Sequence, residues 1–463
     1  MFASNIYHVY LVLFLYYLVS FFIFNIINKS SHLVIDEIFH VPQGESYCKG
    51  NFSTWDPKIT TLPGLYLVST LFLGPVGLCS KFYLRSINLA ASGVNLYLSI
   101  LIIHKLNQSA NHNGYVTKKT ILTALNIVFL PPLYFFSHLY YTDTLSLTFV
   151  LLMFAFYLHQ KHLVAALSGF LAILLRQTNI IWIGLCFGQL CLESLNKELN
   201  NMFKKRRSIP PAQIKFQKVE ELALMKNILH IIKSKKLKDL IFSLLPQLVS
   251  STLLPYFLLL VGFVFFVIYN GSIVVGDKSA HQAKLHIPQI FYFSLFYLIF
   301  SMPIALRNSL NTLKSLIKHS IFTILIFIIF AIIINLNTVI HPYLLADNRH
   351  YTFYFWNRLL SKEPIRYCFA MIYLFGLKSI FDNMGSGKLF FNLIYFVSTF
   401  GALAFQMMIE VRYFLIPYVI LKMKLNYTEK ILIAELFIYI IINALTINIF
   451  AIKDIYWKDF DYV

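Results

Sequence analysis

Stretches of mostly apolar residues recur along the whole 463-residue chain, at 6–27, 86–103, 121–136, 145–158, 163–175, 179–191, 241–269, 287–306, 321–340, 366–381, 389–408, 413–421 and 431–450. About 17 to 25 such residues in a helix cross a hydrocarbon layer of about 30 Å. Charged residues make up 13% of the chain, against about a quarter in a soluble domain. The expectation is an all-α polytopic membrane protein of about 13 transmembrane helices, one multi-spanning domain over residues 1–463. The first stretch lacks a basic lead and a small-x-small cleavage pattern before Asn28, so it reads as a span and not a signal peptide.

The formal charge of +19 would point to nucleic acid in a soluble protein. Here Lys and Arg gather in short loops between apolar runs, as the positive-inside rule requires of cytoplasmic loops, and no nucleic-acid partner is expected. Residues 193–240 carry twelve Lys/Arg against five Asp/Glu and form a basic cytoplasmic loop. Alternating sides outward from it puts Arg176, which would be costly at mid-bilayer, on the luminal face. Asp143 and the segments 270–286, 341–364 and 410–412 fall on that face too, whereas 307–319 is basic and falls inside. Residues 28–85 then form one large luminal loop. That requires the apolar stretch 65–79 not to cross, and Gly64, Gly74, Pro75 and Gly77 favour a broken or interfacial helix there. Two glycosylation sequons, at Asn51 and Asn270, lie on the same face. The five cysteines show no CxxC pair, so neither a zinc site nor a disulfide framework is expected.

Three polar clusters on the luminal side carry the chemistry. Asp36-Glu37, just past the first span, offers adjacent carboxylates. One of them can act as general base towards an acceptor hydroxyl while the other orients; taken alone, the pair equally suits a helix N-terminus. The string Gly276-Asp277-Lys278-Ser279-Ala280-His281 places cations where they would stabilise charge growing on a leaving lipid phosphate. The string His341-Pro342-Tyr343-Leu344-Leu345-Ala346-Asp347-Asn348-Arg349-His350-Tyr351 mixes donors with aromatic faces. In Glu410-Val411-Arg412, Arg412 either pairs with Glu410 or reaches a luminal anion. No P-loop, GxGxxG, HExxH or GxSxG occurs, so nucleotide hydrolysis, hydride transfer and protease or serine hydrolase chemistry lack support.

With Asp36-Glu37-Ile38-Phe39-His40-Val41-Pro42-Gln43, Trp55-Asp56-Pro57-Lys58-Ile59-Thr60-Thr61-Leu62-Pro63-Gly64, Leu175-Arg176-Gln177-Thr178-Asn179-Ile180 and Arg412-Tyr413-Phe414-Leu415-Ile416-Pro417-Tyr418, these strings resemble the dolichyl-phosphate-glucose alpha-1,2-glucosyltransferase family of the endoplasmic reticulum. The likeness runs in order from the first loop to Tyr418. It implies a C-type glycosyltransferase superfold with luminal juxtamembrane loops, resident in the endoplasmic reticulum membrane. The implied donor is dolichyl phosphate glucose and the acceptor a dolichyl-diphosphate-linked oligosaccharide, which receives a terminal alpha-1,2 glucose with inversion. No cofactor and no metal site are expected. The resemblance points to Asp36 first and Glu37 second as base, and to Asp143 as a second luminal acid orienting the acceptor. Lys278, His281, Arg349, His350 and Arg412 are phosphate candidates by their chemistry. His40, Asp56, Arg176, His341 and Asp347 complete the substrate-binding set. A transferase for another dolichyl-phosphate-sugar step is the near alternative. A transporter of lipid-linked sugars is the distant one, since no paired internal repeat is visible.

Overall fold

The computed structural model describes residues 2–108, 115–204, 246, 248–278, 283–341, 351–384, 389–425 and 427–452. Among these the protein is helical, with turns and loops and no strand. The first half comprises α1 (Phe2–Ser30), α2 (Glu37–Cys48), α3 (Gly64–Leu73), α4 (Lys81–Gln108), α5 (Lys118–Val128), α6 (Pro131–Phe136), α7 (Thr142–Leu158), α8 (His162–Leu175) and α9 (Ile180–Lys204). The second half comprises α10 (Leu254–Asn270), α11 (Pro288–Phe300), α12 (Met302–Lys318), α13 (Ser320–Asn337), α14 (Tyr351–Phe355), α15 (Glu363–Asn383), α16 (Leu389–Leu403), α17 (Leu415–Lys422) and α18 (Glu429–Ile452). Most of the basic segment 193–240 lies outside the described residues.

Among the described residues six helices are long and apolar enough to cross a membrane, and a seventh span exists if the bent pair α11 and α12 counts as one. The chain is therefore a polytopic all-α membrane protein. Several other apolar helices are shorter, among them α7, α8, α10 and α16. Two apolar runs expected to be continuous are broken. Residues 121–136 split at Pro131 and Pro132, which lack the amide proton a helix interior needs but fit the first turn of a new helix, α6. Residues 287–306 bend by 108° at Ser301. Pro303 opens α12 there, and this helix is amphipathic, with Leu306, Leu310 and Ile317 exposed in one row and Arg307, Lys314 and Lys318 off it. The segment expected as a basic loop is thus mostly a surface helix.

Helix α3 has ten residues, about 15 Å at 1.5 Å per residue, too short to cross. It ends in a tight turn at Gly74–Val76 and packs on α2 and α8. Gly64 starts α3 where a Cβ would lie 2.6 Å from the Leu174 carbonyl, so only glycine permits that approach. A disulfide joins Cys48, the last residue of α2, to Cys79, which corrects the expectation that the cysteines form no bridge. The helical hairpin made by α2 and α3 brings the two cysteine Cα atoms to 5.7 Å, within bonding range; a sequence separation of 31 hides that proximity.

The chain segments that carry the polar motifs meet at one end of the bundle. Lys81 Nζ, at the start of α4, donates to the Ser31 carbonyl after α1 (2.8 Å). The Tyr140 amide, before α7, reaches Glu37 (2.7 Å), and Gln177, between α8 and α9, donates to the Thr60 carbonyl (2.9 Å). The His286 amide, before α11, donates to the Ala404 carbonyl after α16 (2.6 Å).

Candidate active site

The two adjacent acids point to different partners. Glu37 begins α2, and its carboxylate is gripped by Arg85 of α4 in a two-pronged pair, Nε to Oε1 at 2.8 Å and Nη2 to Oε2 at 2.5 Å. The Tyr140 and Val34 amides donate to the same two oxygens. Arg85 in turn donates to the His32 carbonyl and Ser31 Oγ. Both side chains of the pair are fully buried. A buried charge pair persists only when its remaining hydrogen bonds are also made, and here they are. Glu37 is a tie between α2, α4 and the approach to α7.

Asp36 sits at the turn just before α2. The preceding residue, Ile35, has φ of +48°, a left-handed conformation that a β-branched side chain adopts at a cost in strain. The Asp36 amide donates to the Tyr141 hydroxyl (3.0 Å), which itself donates to the Val34 carbonyl (2.8 Å). With the backbone held that way, the Asp36 carboxylate emerges 2.9 Å from Arg412 Nη1 and remains 34% exposed.

Arg412 comes from the short helical turn Val411–Phe414, which precedes α17. Besides Asp36 it meets Glu410 at 3.4 Å and Asp143 at 3.8 Å, and it lies over the rings of Tyr141 and Phe136. Burial works against its charge, but Glu410, Asp36 and Asp143 outweigh that and hold its pKa well above the ordinary arginine value. Asp143, in the first turn of α7 where acids favour the helix dipole, holds Arg176 at 2.9 Å. Asn88 of α4 clamps the approach to α7 by donating to the Leu139 and Tyr141 carbonyls. The result is a network of Asp36, Arg412, Asp143 and Arg176 in which Asp36 is the most exposed acid.

Other expected residues take other places. His40 lies beside the network: its Nδ1 contacts the Tyr66 hydroxyl at 2.5 Å, its ring faces the edge of Tyr141, and burial lowers its pKa despite the nearby Asp36. Asp56 accepts from the Lys58 amide (2.9 Å), and its own amide is held by Gln43, so it shapes the first loop. Lys278 is exposed and donates to the Asn270 carbonyl at 2.5 Å, outside the network. Its loop is docked on the first one: the Val275 and Asp277 amides donate to the Thr60 and Pro57 carbonyls, and a Cβ at Gly276 would collide with the Pro57 and Ile59 carbonyl oxygens. His341 is buried. His281, Asp347, Arg349 and His350 lie outside the described residues. No group of three or more His, Cys, Asp and Glu side chains suited to a metal ion occurs among the described residues.

A cavity opens beside the network, lined by Asp143, Arg176, Asn179, Trp182, Arg412 and Tyr413, among others. Two guanidinium groups facing one cavity, with an exposed carboxylate against one of them, suit an anionic substrate whose reacting partner is a hydroxyl. Sequence reasoning passed over Arg85, Tyr141, Asn179 and Trp182. Arg85 carried a signal, as a charge at the start of an apolar run with an acidic pair on the same side of the membrane, and Asn179 did as part of the Arg176-Gln177-Thr178-Asn179 string.

A family model described as the DIE2/ALG10 family matches residues 30–423. A protein of Drosophila melanogaster is 38% identical over 440 residues, covering 94% of this chain and 93% of its own. Proteins of Rattus norvegicus and Homo sapiens are each 37% identical over 463 residues, covering 96% of this chain and 95% of theirs. All three are named Dol-P-Glc:Glc(2)Man(9)GlcNAc(2)-PP-Dol alpha-1,2-glucosyltransferase. No solved structure matches the chain significantly.

Proposed function

Because the chain belongs to the DIE2/ALG10 family, we propose that it transfers glucose from dolichyl phosphate glucose to the diglucosylated, dolichyl-diphosphate-linked oligosaccharide, forming the terminal alpha-1,2 bond. The reading extends to an inverting enzyme of the endoplasmic reticulum membrane, with a C-type superfold of about 13 spans, a luminal active site and no cofactor.

Asp36 is the base. It takes the proton from the acceptor hydroxyl as that oxygen bonds to the anomeric carbon, and the bond from that carbon to the phosphate oxygen breaks with its electrons leaving on dolichyl phosphate. A single in-line displacement of this kind inverts the configuration. In the resting protein Arg412 engages the Asp36 carboxylate at 2.9 Å. When the donor phosphate enters, it competes for the same guanidinium and frees the carboxylate beside the acceptor. Arg176 and Arg412, both anchored through Asp143, then face the charge that develops on the leaving phosphate.

The observation that carries this reading is the exposure of Asp36 at 2.9 Å from Arg412, beside a cavity that Arg176 also lines. The test is transfer by purified protein in detergent, supplied with dolichyl phosphate glucose and the diglucosylated acceptor, with and without chelator. Product bearing a third, alpha-1,2-linked glucose in both conditions is expected. Failure with this pair, and success with another dolichyl-phosphate sugar or an earlier acceptor, would assign a different step. Loss of activity with chelator alone would overturn the cofactor-free reading.

A further inference from the structure

Asn179, in the turn Gln177–Asn179 just before α9, lines the cavity next to the two arginines. Its side-chain nitrogen donates at 2.7 Å to the Ala172 carbonyl of α8 and at 2.7 Å to Ser146 Oγ of α7. A carbonyl oxygen only accepts, so the nitrogen is fixed on that side and Oδ1 on the other. The residue is 1% exposed, and Oδ1 is a buried acceptor without a hydrogen-bond partner. Native proteins rarely leave such an atom unsatisfied unless a ligand or water meets it.

On the reading that this is the transferase site, we propose that Asn179 Oδ1 is the fixed acceptor for one hydroxyl of the donor's hexosyl group. It would make this cavity the sugar subsite and Asn179 a specificity-determining residue. The chemistry divides the lining in two. Arg176 and Arg412 suit the phosphate, whereas a neutral amide oxygen repels phosphate oxygens and pairs with a hydroxyl donor. Ser146 accepts from Asn179 and therefore has its own proton to offer a sugar oxygen. The buried ring of Trp182, on the same cavity, gives an apolar face for the sugar's C–H bonds. The cavity has about 30 Å³ of clear interior, room for two or three waters, so a hexosyl group widens it on entry. The tie of Asn179 to α7 and α8 holds its carboxamide in place as the cavity widens.

A cycle of enzyme and substrate deletions tests this in the full-length protein in detergent, with the parent donor and its monodeoxyglucosyl analogues. The wild type is expected to lose roughly ten- to hundredfold in kcat/KM with one analogue, the range for leaving a buried polar group unpaired. Asn179→Ala is expected to treat that analogue and the parent donor alike within about twofold, and Ser146→Ala, which loosens the carboxamide, to weaken discrimination at the same hydroxyl. If Asn179→Ala retains wild-type discrimination against every analogue, Asn179 only braces α7 and α8 and the inference falls. Should Asn179→Ala fail to fold, the wild-type series still decides, because equal rates with all analogues overturn the subsite. Absence of transfer from the parent donor itself would instead overturn the functional reading beneath it.

Discussion

Asp36 and Glu37 share a peptide bond, and on the proposed mechanism they divide the work between reaction and structure. Replacing Asp36 with Asn keeps the shape of the turn and its hydrogen bonds to Tyr141 while removing the base. Asp36→Asn is expected to cut the transfer rate by roughly 10²- to 10⁴-fold with an unchanged melting temperature, checked by initial rates alongside thermal unfolding in detergent. Glu37→Gln should do the reverse. It leaves Arg85 charged and buried without its partner, a loss on the order of 3–5 kcal/mol, so yield and melting temperature fall while the folded fraction keeps turnover. Equal thermal stability of the two variants would refute the division. The acidic pair was legible in the sequence, but which acid acts was not, because the choice rests on Arg85, 48 residues away. His286 shows another property that only burial reveals. Fully buried, with Nδ1 facing the Gln406 carbonyl, its pKa is lowered by desolvation to about 4. Its unfolded value is near 6.5, so the unfolded chain binds more protons below that pH and stability falls as pH drops from 6.5 towards 4. A loss of about 1.6 kcal/mol between pH 6.5 and 5 follows. It should appear as a falling melting temperature, and His286→Gln should flatten that dependence.

At the level of elements, two loops far apart in sequence hold each other. The Gly276 turn lies against the carbonyls of Pro57 and Ile59 at a φ of +66°, where a side chain is both strained and obstructed. Gly276→Ala is therefore expected to lift the turn at 271–278 off the first loop, raising its proteolytic cleavage rate several-fold and slowing transfer, because Thr60 also accepts from Gln177 next to Arg176. Unchanged cleavage and rate would show that the docking is dispensable. The string from Gly276 to His286, with two lysines and two histidines in a short loop, invites a phosphate-site reading in sequence. The glycine turns out to explain the string's position, through a backbone contact that composition does not record. The same limit hid the bend at Ser301. A continuous apolar run predicts one helix, and the proline that starts α12 becomes decisive only when the following residues prove amphipathic rather than uniformly apolar.

For the whole molecule, alternation of charge between loops predicts the polar motifs on one face, and the structure brings Asp36, Asp143, Arg176 and Arg412 into one network at one end of the bundle. What alternation alone does not supply is the identity of the compartment at that end. The disulfide bears on it: a bond between Cys48 and Cys79, in the same segment as Asp36, forms and persists in an oxidising compartment and is reduced in the cytosol, as the proposed luminal placement requires. Cys186, Cys191 and Cys368 remain as thiols. Denatured protein from microsomes, alkylated with a mass-tagged maleimide, should therefore take up three tags without reductant and five after full reduction. In sealed microsomes, treatment before lysis should distinguish the sides, because dithiothreitol crosses the membrane and a charged phosphine does not. The bond should open to the first reagent and resist the second. Five tags after the phosphine in intact vesicles would place Cys48 and Cys79, and with them the network around Asp36, on the cytoplasmic face. The donor's sugar-phosphate headgroup would then have to be met there, and the luminal assignment of the reaction would fail as a unit.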